Sequence, residues 1–359
     1  MEFVAEMLLA HLQAEHADRY DAQAVRPRFF GLFETLPGLD AQMAWNADRL
    51  LTRFVTYPSQ LVTKRRGFEF FHVADHSYAQ VVHVLPASRT GVYCHDLDAF
   101  ACILRPNGEG PGWRKAMART QLSGLQRAAV VFYSTEQVRR QIEEFSLVEP
   151  ARLVHAPYGV AEEFFSPGRA DDLPALPSSP FLLHVGSSVS RKRLDVLFRV
   201  FAELRHERPE LLLVQQGAQL TATQRNLVAE LGIGDALVQP PRLSRPALAA
   251  LYGRAELVLL TSEREGFGLP ILEGLAAGSA VVASDIPAFR EVAGDAVTFC
   301  SVEDIAGWVA TIRRLLDHPE LRPSPARRRQ VVSRYTWTAH AATIAGAYAR
   351  LADGRMARA

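Results

Sequence analysis

Glu265-Gly266-Phe267-Gly268-Leu269-Pro270-Ile271-Leu272-Glu273 is the stretch whose reading decides the fold. Two carboxylates bracket a loop with two glycines, and Pro270 opens a predicted helix that Gly278 stops. Proline fits a helix start because its missing N–H costs nothing there. A helix start leaves backbone N–H groups unpaired and carries partial positive charge, which favours a phosphate. Gly266 and Gly268 let the backbone come close to such a ligand. An ionised carboxylate accepts several charge-assisted hydrogen bonds, so Glu265 and Glu273 suit sugar hydroxyls. The bland alternative is a surface loop with two solvated glutamates, and the glutamate spacing alone does not separate the two.

Outward from this loop, short apolar runs alternate with helical patterns. The predicted strands are residues 70–73, 91–94, 130–133, 153–156, 181–185, 211–215, 257–260, 280–283 and 297–300. Leu194, Leu197, Phe198, Phe201 and Leu204 repeat at helical spacing. Such alternation implies α/β architecture with parallel sheets flanked by helices. Residues 166–180 hold five prolines and glycines with little apolar periodicity, which marks a linker. The expected organisation is an N-terminal domain over 1–165, the linker 166–180, a C-terminal domain over 181–337 and a terminal helix over 338–359. Both domains are expected to be doubly wound and Rossmann-like, with ligands at the carboxyl ends of the strands in the cleft between them.

Composition excludes several classes. The 359 residues suffice for two cores, and 48% hydrophobic with 22% charged residues is ordinary for a soluble globular chain. A net charge of +1 argues against nucleic acid as a partner. Cys94, Cys102 and Cys300 are too few and too scattered for a disulfide framework, and a reducing cytoplasm fits them. The segment 1–12 is amphipathic and carries Glu2 and Glu6, unlike a signal peptide. No apolar run approaches the ~20 residues that span a bilayer.

The stretch Glu265 to Glu273, with Ala277-Gly278-Ser279-Ala280-Val281-Val282-Ala283-Ser284 and Arg290-Glu291-Val292-Ala293-Gly294 after it, resembles the retaining glycosyltransferases of family 4, which have the GT-B fold. The resemblance is strongest over 181–299. It implies a nucleotide-sugar donor, a glycan or lipid-linked acceptor, a destination in cell-surface polysaccharide, and no metal or other cofactor. It also implies roles. Glu273 would hold ribose hydroxyls; Arg191, Lys192 and the backbone of Gly266, Phe267, Gly268 and Leu269 would hold the diphosphate. Glu265, with His95, would position the transferred sugar. Cations there would offset charge on the departing diphosphate. Gly186 and Ser187 form the turn before Arg191-Lys192, with Ser187 where some relatives have arginine. The alternative for this basic run is a solvated helix start. Gly217 matches a glycine that approaches the nucleotide, and Gly159, in Tyr158-Gly159-Val160, matches an element at the cleft. Pro240-Pro241 departs from the family's Leu-Gly where the base is read.

In the N-terminal half, His95-Asp96 ends a predicted strand and resembles the family's His-Asp element. The alternative is a satisfied histidine beside a capping Asp96. His72, Asp75 and His76 form a polar cluster of the kind found near the acceptor, too poor in ligands for a metal. Lys64-Arg65-Arg66, flanked by Phe68, Phe70 and Phe71, suits a solvated loop before a buried strand. Its alternative is peripheral contact with an anionic membrane at the inner face. The resemblance further implies a first strand and glycine-rich loop ahead of a Gly-Met-Glu run. Met1-Glu2 matches the end of that run, so the first N-terminal strand is expected to be missing. An epimerase or phosphorylase of the same fold, or a silent nucleotide-sugar-binding protein, remain the other classes.

Overall fold

The computed structural model describes residues 2–34, 38, 40–105, 108–166 and 179–354. It divides into two units: Met1–Pro157 with Trp337–Ala359, and Tyr158–Thr336. Most of the expected linker, 167–178, lies outside the described residues.

The first unit holds four parallel strands in sequence order: β1 (Phe71–Val73), β2 (Thr90–Cys94), β3 (Val130–Tyr133) and β4 (Leu153–His155). Every residue of β2 and β3 is buried, as parallel strands covered on both faces require. Val92, Cys94, Val131, Phe100, Leu125 and Ile142 belong to one apolar cluster that joins strands to helices. The helix Glu2–Glu15 buries Val4 and Leu8, and the last helix, Trp337–Ala352, buries Trp337, His340, Ile344 and Tyr348. These two sequence-distant helices meet: Phe3 packs edge-on against Trp337 at 5.6 Å. Tyr348 also donates its hydroxyl to the Phe71 carbonyl at 2.9 Å, which fastens the helix to β1. Phe70 lies 5.4 Å from the same Tyr348 ring, so the aromatics after Lys64-Arg65-Arg66 turn inward while the three basic residues stay exposed.

The second unit holds six parallel strands: β5 (Phe181–Gly186), β6 (Leu212–Gly217), β7 (Leu237–Val238), β8 (Leu257–Leu260), β9 (Val281–Ser284) and β10 (Thr298–Cys300). Their order is β10-β9-β8-β5-β6-β7, so the winding reverses between β5 and β8. The helical stripe is confirmed: the helix Leu194–Glu207 buries Leu194, Leu197, Phe198, Phe201 and Leu204. They share a core with Trp308 and Ile312 of the helix Ile305–Asp317 and with Leu182, Leu213 and Leu259 of the sheet. Each fully buried side chain of this kind contributes about 1.5–3 kcal/mol. In open α/β sheets the crevice outside the strand carboxyl ends opens where the order reverses. Here that point joins the loop after β5 to the loop after β8. No described helix is long and apolar enough to cross a membrane.

Candidate functional site

The reversal sets residues 187–193 beside residues 261–268, and three contacts fix the pairing. The Thr261 hydroxyl donates to the carbonyls of Lys192 and Arg193 at 2.9 and 3.1 Å. The Glu263 N–H donates to the Arg191 carbonyl at 2.9 Å. Arg193 itself adopts a left-handed backbone with φ of 49°, an uncommon state for a residue with a side chain. It caps the helix Leu194–Glu207 and is tied by its guanidinium to Asp195 at 3.0 Å.

This frame brings Arg191, Lys192 and Glu265 together, although 73 residues separate the last two. Lys192 Nζ donates to Glu265 Oε1 at 2.5 Å and Arg191 Nη1 to Oε2 at 2.6 Å. The Glu265 side chain is only 9% exposed. Burial acts most strongly on Glu265 and works to raise its carboxyl, but Lys192 and Arg191 outweigh it and hold the group below its ordinary value. One carboxylate against two cations leaves the cluster with one positive charge, which suits a polyanionic ligand.

Glycine shapes the floor. Gly186 and Gly217 pair in register at the ends of β5 and β6. A Cβ on Gly217 would sit 1.9 Å from the Gly186 carbonyl oxygen, and its φ of +145° excludes other residues as well. Beside Gly186 lies His184, fully buried on β5, with neither ring nitrogen hydrogen-bonded among the described residues. Burial, with the Lys192 charge second, pushes its imidazole down to about 3. The group under the cations is therefore neutral.

The loop after β8 enters the helix Leu269–Ala276, with Leu269 and Pro270 in its first two positions and Gly268 as cap at φ +108°. Phe267 is 5% exposed and packs edge-on against Tyr158 at 5.0 Å and Tyr335 at 5.6 Å. What Phe267 offers a ligand is its backbone. Gly159, beside Tyr158, is buried in the same unit, and the next residue, Val160, donates its N–H to the Tyr335 carbonyl at 3.1 Å. Ser187 is half-buried in the turn after Gly186. Glu273, one turn into the helix, accepts the Tyr252 hydroxyl at 2.9 Å. Burial pushes its carboxyl up to about 7 against that bond.

His95 and Asp96 lie in the other unit, just past β2. The His95 ring nitrogen Nε2 meets the Ala74 carbonyl at 2.8 Å, so it carries the proton, and the ring stacks on Tyr93 at 4.9 Å. Burial first, then His76, pushes its imidazole down to about 3. His95 thus presents a neutral ring near neutral pH. The His95 N–H donates to His76 Nδ1 at 3.3 Å, and Asp96 approaches His76 Nε2 at 3.8 Å. Asp96 Oδ1 also accepts the Asp98 N–H at 3.0 Å, a local turn contact. His72 turns away to the Tyr348 hydroxyl at 3.1 Å. No group of three metal-ligating side chains occurs among the described residues.

Thr261, His184 and Tyr252 were not singled out in the sequence. A lone Thr, His or Tyr in an apolar run carries no pattern that a one-dimensional reading can use.

Residues 171–330 match the family model described as "Glycosyl transferases group 1". The chain is 32% identical over 228 residues to a D-inositol 3-phosphate glycosyltransferase of Thermobispora bispora, covering 58% of this chain and 53% of that one. It is 32% identical over 208 residues to an MMP alpha-(1->4)-mannosyltransferase of Mycolicibacterium hassiacum, covering 56% and 49%. The chain thus spans about half the length of these curated relatives. Among solved structures it superposes on sucrose-phosphate synthase from Thermosynechococcus elongatus with a TM-score of 0.71 and 19% identity, over 92% of this chain and 83% of that one. The Anabaena protein HepE, solved with UDP and glucose, gives a TM-score of 0.69 at 14% identity, over 83% and 82%. Residues 171–330 therefore match the group 1 glycosyltransferase family, and the chain has the GT-B fold.

Proposed function

We propose that this chain transfers a sugar from a nucleotide-sugar donor to a glycan or lipid-linked acceptor, with retention at the anomeric carbon, in the synthesis of cell-surface polysaccharide. The observation that carries the reading is the Arg191–Glu265–Lys192 cluster at the reversal of strand order, adjoining the start of the helix Leu269–Ala276. In this reading Arg191 and Lys192 grip the diphosphate, Arg191 in a fork and Lys192 as a point charge. The backbone N–H groups of 266–269 add to that grip. As the diphosphate departs, these cations offset its growing charge without a metal. Glu273 accepts the ribose hydroxyls, and Glu265, already fixed by two cations, accepts hydroxyls of the transferred sugar. No protein nucleophile is required if the leaving phosphate takes the acceptor's proton. The free cysteines Cys94, Cys102 and Cys300 suit a cytoplasmic setting.

The test is calorimetric titration with UDP, GDP, ADP and dTDP in the presence of a chelator. One nucleotide binding clearly better than the rest, and losing affinity in Glu273→Ala, supports the donor site and names the base. Binding by none of them sinks it. Transfer is then tried with the matching nucleotide sugars on polysaccharide fragments, on a lipid-linked sugar and on inositol 3-phosphate. The last is the acceptor in the name of the Thermobispora relative.

A further inference from the structure

His184 lies beneath the proposed donor site and takes no part in the contacts that build it. It sits on β5, fully buried, and neither Nδ1 nor Nε2 has a hydrogen-bond partner among the described residues. A buried polar group left unpaired costs stability, so its presence calls for a reason. The residue opposite it in register on β6 supplies no partner. Gln215 is buried as well, but its Nε2 donates to the Gly186 carbonyl at 3.2 Å and its Oε1 accepts the Gln239 amide at 2.6 Å. That amide ties β5, β6 and the segment after β7 together, and the imidazole beside it is left open.

The ring meets Lys192. A Cβ placed on Gly186 would lie 3.0 Å from His184 Cε1, 3.4 Å from its Nε2 and 3.6 Å from Lys192 Cε. The imidazole edge and the last methylene of Lys192 therefore flank one point, in the space that Gly186 leaves by having no side chain. An ammonium carries three donors. Lys192 Nζ gives one to Glu265 Oε1 at 2.5 Å, and a diphosphate would take a second.

We infer that His184 is a positioning residue: when Lys192 turns to the diphosphate, His184 Nε2 accepts the third N–H of its ammonium and holds it in place. The inference rests on the donor-site reading of Arg191, Lys192 and Glu265. A neutral acceptor is what this role requires. A carboxylate there would cancel the Lys192 charge, and another cation would repel it. Burial, with the Lys192 charge second, keeps the imidazole unprotonated, so its acceptor stays available near neutral pH. Gly186 is the other requirement, since any side chain there would fill the space between ring and ammonium.

The test is a double-mutant cycle, read by calorimetric titration of the full chain with whichever of UDP, GDP, ADP and dTDP binds most tightly. His184→Phe keeps a ring and removes both nitrogens. Its melting temperature should equal or exceed that of the wild type, because the unpaired groups are gone. Its affinity for the diphosphate should fall about tenfold or more, as when a hydrogen bond to a charged group is lost. His184→Gln, which returns an acceptor oxygen, should recover most of that loss. In a Lys192→Ala background, His184→Phe should cost no further affinity, since its effect passes through the ammonium. His184→Met, flexible and free of nitrogen, repeats the measurement should His184→Phe fold poorly. Wild-type affinity in His184→Phe or His184→Met overturns the inference. So does an equal loss with and without Lys192, the mark of packing alone. Binding of none of the diphosphates by the wild type removes the donor site itself, and the role of His184 with it.

Discussion

Lys192 and Glu265 are paired at 2.5 Å, and that determines what a substitution of Lys192 does. In the proposed donor site, Lys192→Ala would remove a charge from the diphosphate and leave Arg191 as the cation paired with Glu265, 9% exposed. Turnover should fall by about two to three orders of magnitude, as when a single charge-stabilising group is lost. Lys192→Arg should restore part of it; near-normal turnover in the alanine variant would remove Lys192 from the donor site. Glu273 responds differently because burial has raised its carboxyl to about 7 from an ordinary 4.5. Between those values the folded protein keeps a proton that the unfolded chain has lost. The stability this confers is complete below the unfolded value and disappears as pH rises through the folded one. Glu273→Gln, which cannot ionise, should therefore gain Tm over the wild type between about pH 5 and about pH 8. The same variant should bind nucleotide more weakly at the higher pH, since an amide has one acceptor oxygen and no charge for ribose hydroxyls. A Tm difference that does not change with pH would show that Glu273 is not desolvated.

At the scale of elements, the junction of β5 and β6 is the tightest point beneath the proposed donor site. Gly217→Ala forces a Cβ to within 1.9 Å of the Gly186 oxygen at a φ that alanine avoids. A loss of about 2–4 kcal/mol in chemical denaturation is expected, with nucleotide affinity falling too, because the Gly186 turn must move. An unperturbed midpoint would mean that the two strand ends part without cost. Strands were legible where an apolar run has clear ends: β3 and β8 span 130–133 and 257–260, as their apolar runs predict. By contrast β7, only Leu237–Val238, is too short for any period to register. The π-helical turn Thr52–Thr56 and the 3-10 segment His76–His83 carry no repeat that separates them from an α-helix. At the site, the whole run Glu265 to Glu273, rather than the glutamate spacing, pointed to the loop because its residues sit on one local structure. Their partners were hidden for the opposite reason. Thr261 reaches 69 residues back to Lys192 only because β8 lies beside β5, and strand order is not written in any local window. Lys64-Arg65-Arg66 stays exposed ahead of β1, as a solvated run before a strand should, but the packing of Phe70 on Tyr348 from the far end of the chain is again not written in the local sequence.

For the whole molecule, the decisive fact is that the first unit is closed by the last helix. Tyr20 donates its hydroxyl to the Ala345 carbonyl at 2.8 Å, and the Tyr348 hydroxyl reaches the Phe71 carbonyl at 2.9 Å. His340 Nδ1 meets the Ala156 carbonyl at 3.1 Å, so the helix Trp337–Ala352 touches the beginning, middle and end of that unit. Such contacts join residues more than 180 positions apart, and the loop-closure entropy they must overcome grows only slowly with length. The first unit can therefore finish folding only after the second has been synthesised. Ile344, fully buried in the same helix, isolates this dependence. Ile344→Ala should destabilise the first unit by about 2–4 kcal/mol through lost burial and the cavity left behind. Amide hydrogen exchange should rise in β1 and β2 by the matching factor, about thirtyfold to about a thousandfold, where global opening controls it. Nucleotide affinity should stay within about twofold, because Arg191, Lys192, Glu265 and Glu273 all belong to Tyr158–Thr336. A tenfold loss of affinity alongside the faster exchange would show that the donor grip is not contained in the second unit.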